Sequence, residues 1–443
     1  MMLRRLALAA VAAAVLAWPL AAYVPAQEKS VFIPMLVYRT GPFAPNGIPI
    51  ANGFHDYFTL LNERDGGIEG VRLVWEECEM QYDTKQGVEC YERLKNNHGG
   101  AVLVNPFSTG ITYQVIPKAP IDKIVIHSAG YGMTASADGR WFPWVFNFPM
   151  TYWSQASAFI KYVGAQEGGL DKLKGKKIVH IYHNSPYGRE ANPTLEDLAR
   201  RHGFEVTLLA VDSPGQEQKA TWLQVRRINP DWIYISGWGV MNQVAVKEAA
   251  AHGMKMDRVV GNWWTGTETD VIPAGDAARG YKSMNFHSAG TNFRVHQDIF
   301  KHVYDKGKGS YGNDRTKAGE VLYNRAVVNA MLDTEAIRTA IKKYGQKPPT
   351  REQVRWAFEN LDVTEKRLDE LGMKGIMRPL KMTCEDHEGN GLAVVQQWDG
   401  KKWNVVSDWI EPMRDVVRPK LEAAAVEEAK KLNYTMRDCA KEK

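Results

Sequence analysis

The stretch AVLVNPFSTGITY, residues 101–113, sets a short apolar run against Asn105-Pro106 and then places Ser108, Thr109 and Gly110 ahead of a segment able to become helical. Ala, Val, Leu and Val in succession, without alternation, suit a strand covered on both faces, as in a parallel sheet between helices. Ser108 and Thr109 then stand where the strand hands over to the helix. Unpaired backbone N–H groups, the positive end of the helix dipole and two hydroxyls converge at such a junction, which suits an anion, most simply a carboxylate. The competing role for Ser108 is a plain helix cap.

Outward from this stretch the chain alternates strand-like and helix-like segments. Towards the N-terminus lie a strand over 31–38, a Gly- and Pro-rich loop over 40–49, a helix over 51–64 closed by Asp65-Gly66-Gly67, a strand over 71–76 and a helix over 84–96. A strand over 124–127 follows, and then an aromatic and proline-rich break over 142–152. Beyond it the alternation resumes, with strands at 177–182, 205–209, 232–235 and 258–260 and helices at 154–166, 190–202, 221–228 and 242–252. Strands separated by amphipathic helices describe a doubly wound parallel sheet, and two consecutive sets describe two α/β lobes. Residues 280–287 read as a crossing back, and helices over 295–304, 318–344 and 351–360 complete the first lobe. Alternation on either side of Asp399-Gly400 reads as a hairpin. With a final helix over 418–432, it forms an extension assigned to the second lobe. The expected division is 1–26 as a signal peptide, 27–148 with 285–380 as lobe one, and 149–284 with 381–443 as lobe two.

The 443 residues exceed one ordinary domain. Arg4 and Arg5 precede an apolar run and a Val24-Pro25-Ala26 site, which reads as a secretory signal cut before Gln27. The run is short for a membrane span. The 56 Lys and Arg outnumber the 51 Asp and Glu by five, and without the two arginines of the leader by about three. That balance gives no reason to expect nucleic acid. Four cysteines in an exported chain point to disulfides, and Cys78–Cys90 with Cys384–Cys439 is the simplest of the three connectivities. On loop-closure entropy these would contribute roughly 3 and roughly 4 kcal/mol. The spacings do not match a zinc site. The histidines, among them His180 and His183, have no acid or cysteine at metal spacing, and neither a G-x-S-x-G elbow nor a phosphate loop is present. No cofactor, metal or catalytic residue is expected.

The order of features resembles the type I periplasmic binding proteins of ABC transporters, in the leucine/isoleucine/valine-binding branch, from about residue 31 to about residue 392. The resemblance rests on Gly41-Pro42, on Leu61-Asn62 with Gly66-Gly67-Ile68-Glu69-Gly70, and on Asp83-Thr84-Lys85-Gln86. Tyr187-Gly188-Arg189-Glu190 and Asn229-Pro230-Asp231 with Gly237 continue it. It implies a monomeric, non-enzymatic periplasmic receptor with two lobes on a three-crossing hinge, which closes on a small solute and presents it to permease subunits in the inner membrane. Such sheets bind ligands at the carboxyl ends of their strands.

By position in the family, Ser108 and Thr109 match the first carboxylate-binding loop. The loop over 127–132 matches the second, with Gly130 offering a backbone group and Tyr131 standing where the family commonly has a small hydroxyl residue, and Tyr187 and Trp238 match aromatic walls of the second lobe. In Gly261-Asn262-Trp263-Trp264 this chain departs from the pattern: amino-acid binders carry an acid there to pair with the ligand's ammonium, and here the aligned residue is Trp263. Glu268, five residues on, is the alternative acid. Burying an ammonium without a counter-charge costs several kcal/mol. The resemblance with this departure implies an organic acid, aromatic or acyl, lying against Tyr131, Trp238 and Trp263, with Trp264 divided between core and cleft. A branched-chain amino-acid receptor and a ligand-sensing subunit of a membrane receptor are the alternatives.

Overall fold

A computed structural model describes residues 29–442. The leader over 1–26 and its cleavage site lie outside the described residues. Two mostly parallel sheets organise the chain. The first is built from β1 (Ser30–Val37), β2 (Arg72–Glu79), β3 (Leu103–Val104), β4 (Val125–His127) and β5 (Val145–Phe146). β1 pairs with β2, and β3, β4 and β5 pair in that order, all parallel. Single bridges from Phe32 to Ala101 and from Met35 to Asn105 tie β1 to β3. The strand expected over 101–104 is therefore regular only at Leu103–Val104. Its four residues are nonetheless buried, as a strand between two helical layers must be.

The second sheet contains β6 (Lys177–His183), β7 (Glu205–Val211), β8 (Trp232–Ser236), β9 (Val259–Gly261) and β10 (Lys282–Asn285). A short antiparallel pair, β11 (Asp362–Val363) with β12 (Leu380–Lys381), stands apart. The antiparallel hairpin of β13 (Val394–Trp398) and β14 (Trp403–Val405) extends the second sheet, giving the order β14-β13-β10-β9-β8-β6-β7. The segment read as a plain crossing over 280–287 thus contributes a strand, with Lys282 opposite Val260.

The first helix spans Ala44–Asp65, seven residues earlier than expected. Pro45 falls in its first turn, where the missing N–H has no intrahelical partner to lose. Gly47 lets that turn press on the end of β1, since a Cβ there would lie 2.0 Å from the Tyr38 carbonyl oxygen. The long helix Val321–Tyr344 is buried along most of its length and packs on this first helix. Its Asp333 accepts from Asn105 at 2.8 Å and pairs with His127 at 2.6 Å, which fastens the carboxyl ends of β3 and β4 to one helix. Both local disulfides are present, Cys78–Cys90 and Cys384–Cys439. The final helix, Arg414–Lys431, packs Val417 and Leu421 against Ala137 and Trp153. Arg437 beyond it binds Glu359 and the Gly139 carbonyl.

Candidate ligand-binding site

The carboxyl ends of the two sheets face each other, and aromatic residues follow many of the strands. Tyr38 comes after β1, Tyr82 after β2, Ser108 after β3, and Gly130 with Tyr131 after β4. From the other sheet, Tyr187 comes after β6, Trp238 after β8, and Trp263 with Trp264 after β9. All are buried except the half-buried Tyr82. Rings from opposite sheets meet directly: Tyr131 stacks on Trp264 at 4.1 Å and stands edge-on to Trp238 at 6.4 Å, while Trp238 and Trp264, both of the second sheet, meet edge-on at 5.2 Å. Tyr152, at the start of the helix Tyr152–Glu167, lies nearly parallel to Trp263 at 5.0 Å.

Polar atoms fix these rings. The Gly130 carbonyl accepts from both indoles, Trp264 at 3.0 Å and Trp263 at 3.3 Å. Only glycine suits this position: its φ is +90°, and a Cβ would stand 3.2 Å from Trp263 Nε1. Trp264 Nε1 also donates to the Tyr152 hydroxyl, which shares a hydrogen with Thr109 Oγ1 at 3.2 Å. The hydroxyls of Tyr38 and Tyr131 are 2.9 Å apart. Tyr187 donates to the Gly237 carbonyl and accepts from Asn262 Nδ2, both at 2.9 Å. Ser108 is the residue before the helix Thr109–Val115, yet its hydroxyl makes no capping bond. It instead faces Tyr82, whose own pKa burial drives up. The capping role is thereby removed. The residues just before both loops' key positions, Phe107 and Ala129, hold φ of 52° and 49°, a costly region for side chains other than glycine.

The structure brings Ser108, Thr109, Gly130, Tyr131, Tyr187, Trp238 and Trp263 to the facing ends of the two sheets. Trp264 joins them, between Tyr131 and Trp238 in the ring cluster. Glu268 does not pair with a cation; it begins the short helix Glu268–Val271 and accepts the Val321 N–H at 2.9 Å. His180 is a satisfied core histidine, held by Asn192 and Ser236. Among the described residues no group of histidine, cysteine or acid side chains is arranged for a metal.

Burial pushes Glu268 up to about 8 and Asp270 up to about 7, with Glu320 also raised. Each carboxyl keeps its proton in the folded chain at a pH where the unfolded chain has lost it. The folded state then binds more protons between about pH 4 and about pH 8, and stability falls as pH rises through that window. The melting temperature is expected to decline from about pH 5 to about pH 8, and Glu268→Gln, which keeps an acceptor for Val321, should flatten that decline. An unchanged slope in Glu268→Gln would refute the assignment.

Sequence reasoning missed Tyr38, Tyr82, Tyr152 and Arg325. Arg325 had a readable signal: it sits in VLYNRAVVNAML, residues 321–332, an otherwise largely apolar helical run. A helix apolar on all sides is buried, and a cation inside one requires a partner or a purpose.

The family description "Periplasmic binding protein" matches residues 30–402. Among solved structures, a Pseudomonas fluorescens group protein described as an ABC transporter permease is 41% identical, with a TM-score of 0.87 over 93% of this chain and 100% of that one. A branched-chain amino acid ABC transporter protein from Thermus thermophilus with bound valine is 21% identical, with a TM-score of 0.72 over 89% and 99%. A fatty acid ABC transporter substrate-binding protein from Thermomonospora curvata is 18% identical, with a TM-score of 0.70 over 88% and 94%. No curated protein matches the chain. Two facing α/β sheets, aromatic residues at their carboxyl ends and a family match over most of the sequence agree: the chain belongs to the periplasmic binding proteins, as a solute-binding component of an ABC transporter.

Proposed function

We propose that the protein captures a small organic acid with a flat apolar body and, by closing two lobes on it, delivers it to the permease subunits of an inner-membrane importer. On this reading 27–148 with 285–380 and 149–284 with 381–443 are the two jaws. The ligand touches both only when they are closed, which shifts the population towards closure. Distant neighbours of this fold hold valine or, by name, serve a fatty acid, so the fold leaves the ligand open and the side chains decide.

The observation that carries the ligand class is the set of rings from both sheets, Tyr131 on Trp264 with Trp238 edge-on. It is joined by the state of the two positions considered for an acid that would pair an ammonium. Trp263 occupies the position of the acid, and Glu268 is committed to Val321. Ser108, Thr109 and the Gly130 loop meet the carboxylate, while Tyr187, Trp238 and Trp263 cover the apolar body.

A thermal-shift panel of aromatic acids, aliphatic acids and amino acids tests this. A ligand at a hundred times its dissociation constant stabilises by about 2.7 kcal/mol, which a melting curve resolves. Aromatic or acyl acids should respond, and a response confined to amino acids would defeat the proposal. Ser108→Ala should lose most of the response while lowering the unfolding free energy by about 1 kcal/mol, the worth of the hydrogen bond to Tyr82, because the hydroxyl caps no helix. A large stability loss with an intact ligand response would reverse that assignment.

A further inference from the structure

Arg325 lies on the helix Val321–Tyr344, 1% exposed, and among the described residues no carboxylate pairs with it. Its guanidinium is surrounded by neutral groups. Nε donates to His287 Nε2 at 3.2 Å, one terminal nitrogen donates to Asn285 Oδ1 at 2.8 Å, and the other donates to the Trp263 carbonyl. The acceptor histidine is neutral, because burial and the guanidinium itself hold its pKa well below the usual range. The guanidinium carbon of Arg325 stands 4.4 Å from the centre of the Trp264 ring and 4.9 Å from that of Phe286. The groups able to become anionic that act on it most strongly are Tyr131, Tyr152, Tyr187 and Tyr38. Burial raises all four, so they remain uncharged phenols at neutral pH. Burial lowers Arg325 to about 9, which leaves it a cation there.

A buried cation held only by neutral acceptors and ring faces is not compensated for its lost hydration. Each of its terminal nitrogens uses one N–H on the acceptors named, so one N–H remains on each. A second donor stands beside it. The Asn285 amide is oriented by two donors on its oxygen, Arg325 and the Phe286 N–H at 2.9 Å, and its buried Nδ2 has no partner. The Trp238 indole N–H, within the same ring cluster, also lacks one. Unmatched donors and an unmatched positive charge at the ring cluster call for the same thing, an anionic acceptor.

We propose that Arg325, with Asn285 beside it, supplies the counter-charge for the ligand's carboxylate, so that the site selects organic anions over neutral isosteres of the same shape. A planar guanidinium with an N–H remaining on each terminal nitrogen adds to the hydroxyls of Ser108 and Thr109 a charge and a two-pronged match to a carboxylate. This inference rests on the reading of the ligand as an organic acid and adds the residue that enforces the charge.

The test pairs acids with their primary amides, phenylacetate with phenylacetamide and octanoate with octanamide, titrated calorimetrically into the wild-type chain, Arg325→Gln and Arg325→Lys. Wild type should prefer at least one acid over its amide by about 100-fold or more, Arg325→Gln should bring that ratio within about threefold, and Arg325→Lys should retain an intermediate preference. The ratio is insensitive to a general loosening of the fold, which weakens acid and amide alike. If Arg325→Gln does not fold, an acid-to-amide ratio in Arg325→Lys equal to wild type overturns the proposal, and a reduced one supports it. Acid binding with an undiminished preference in Arg325→Gln overturns the role of Arg325 alone. Failure of every acid to bind the wild type overturns the organic-acid reading and this inference with it.

Discussion

Trp264→Ala is expected to abolish the thermal response to organic acids and to lower the stability of the unliganded chain by about 3–5 kcal/mol, the range for removing a buried large aromatic side chain. Several contacts end together: the stack on Tyr131, the edge contact with Trp238 and the face presented to Arg325. The indole N–H that bridges the Gly130 carbonyl and the Tyr152 hydroxyl is lost as well. Trp263 still donates to Gly130, so that carbonyl is not stranded. The cavity left would border both sheets. Denaturant unfolding reads the stability and the thermal-shift panel reads the binding. Retained ligand response in a folded Trp264→Ala protein would remove this ring from the site and return it to the core.

The second large effect is at Asp333, fully buried on the same helix as Arg325 and two turns further along. Asp333→Ala strands His127 and Asn105, both buried, at the ends of the strands that carry the Gly130 and Ser108 loops. Removing their shared acceptor leaves two buried polar groups without that partner, at about 1–3 kcal/mol each. Ligand affinity should fall too, although Asp333 contacts none of the rings, since both loops lose their anchorage to the helix. Asp333→Asn keeps an acceptor for one of the two and should cost less. Urea unfolding of the two variants checks the order, and equal, small losses in both would contradict this account.

Much of the architecture was legible because its signals are local. Alternating apolar runs and helical periods marked both sets of strands, Asp399-Gly400 marked the hairpin of β13 and β14, and the cysteine spacing marked both disulfides. The start of the first helix was not legible. Pro45 and Pro49 read as loop residues, whereas Pro45 falls in the first turn, where a proline is tolerated, Pro49 is carried inside the helix, and Gly47 makes room for the Tyr38 carbonyl.

At the site, positions matched to strand ends converged, because a parallel sheet delivers every such loop to one edge. What sequence could not supply was which polar groups already have partners. Ser108 looks like a cap and caps nothing. Glu268 looks available for a ligand and is held by Val321. Arg325 is more than two hundred residues from Ser108, on a helix whose membership of the site depends on long-range packing.

The central claim is that the cleft accepts a flat organic acid and rejects the same molecule bearing an ammonium. Calorimetric titration with phenylacetate and with L-phenylalanine, which share a ring and a carboxylate and differ at the α-amino group, tests it most directly. The account predicts saturable one-to-one binding of phenylacetate and binding of L-phenylalanine weaker by about 100-fold or more, the cost of an unpaired buried ammonium. Binding of L-phenylalanine as tight as that of phenylacetate, or tighter, would contradict it.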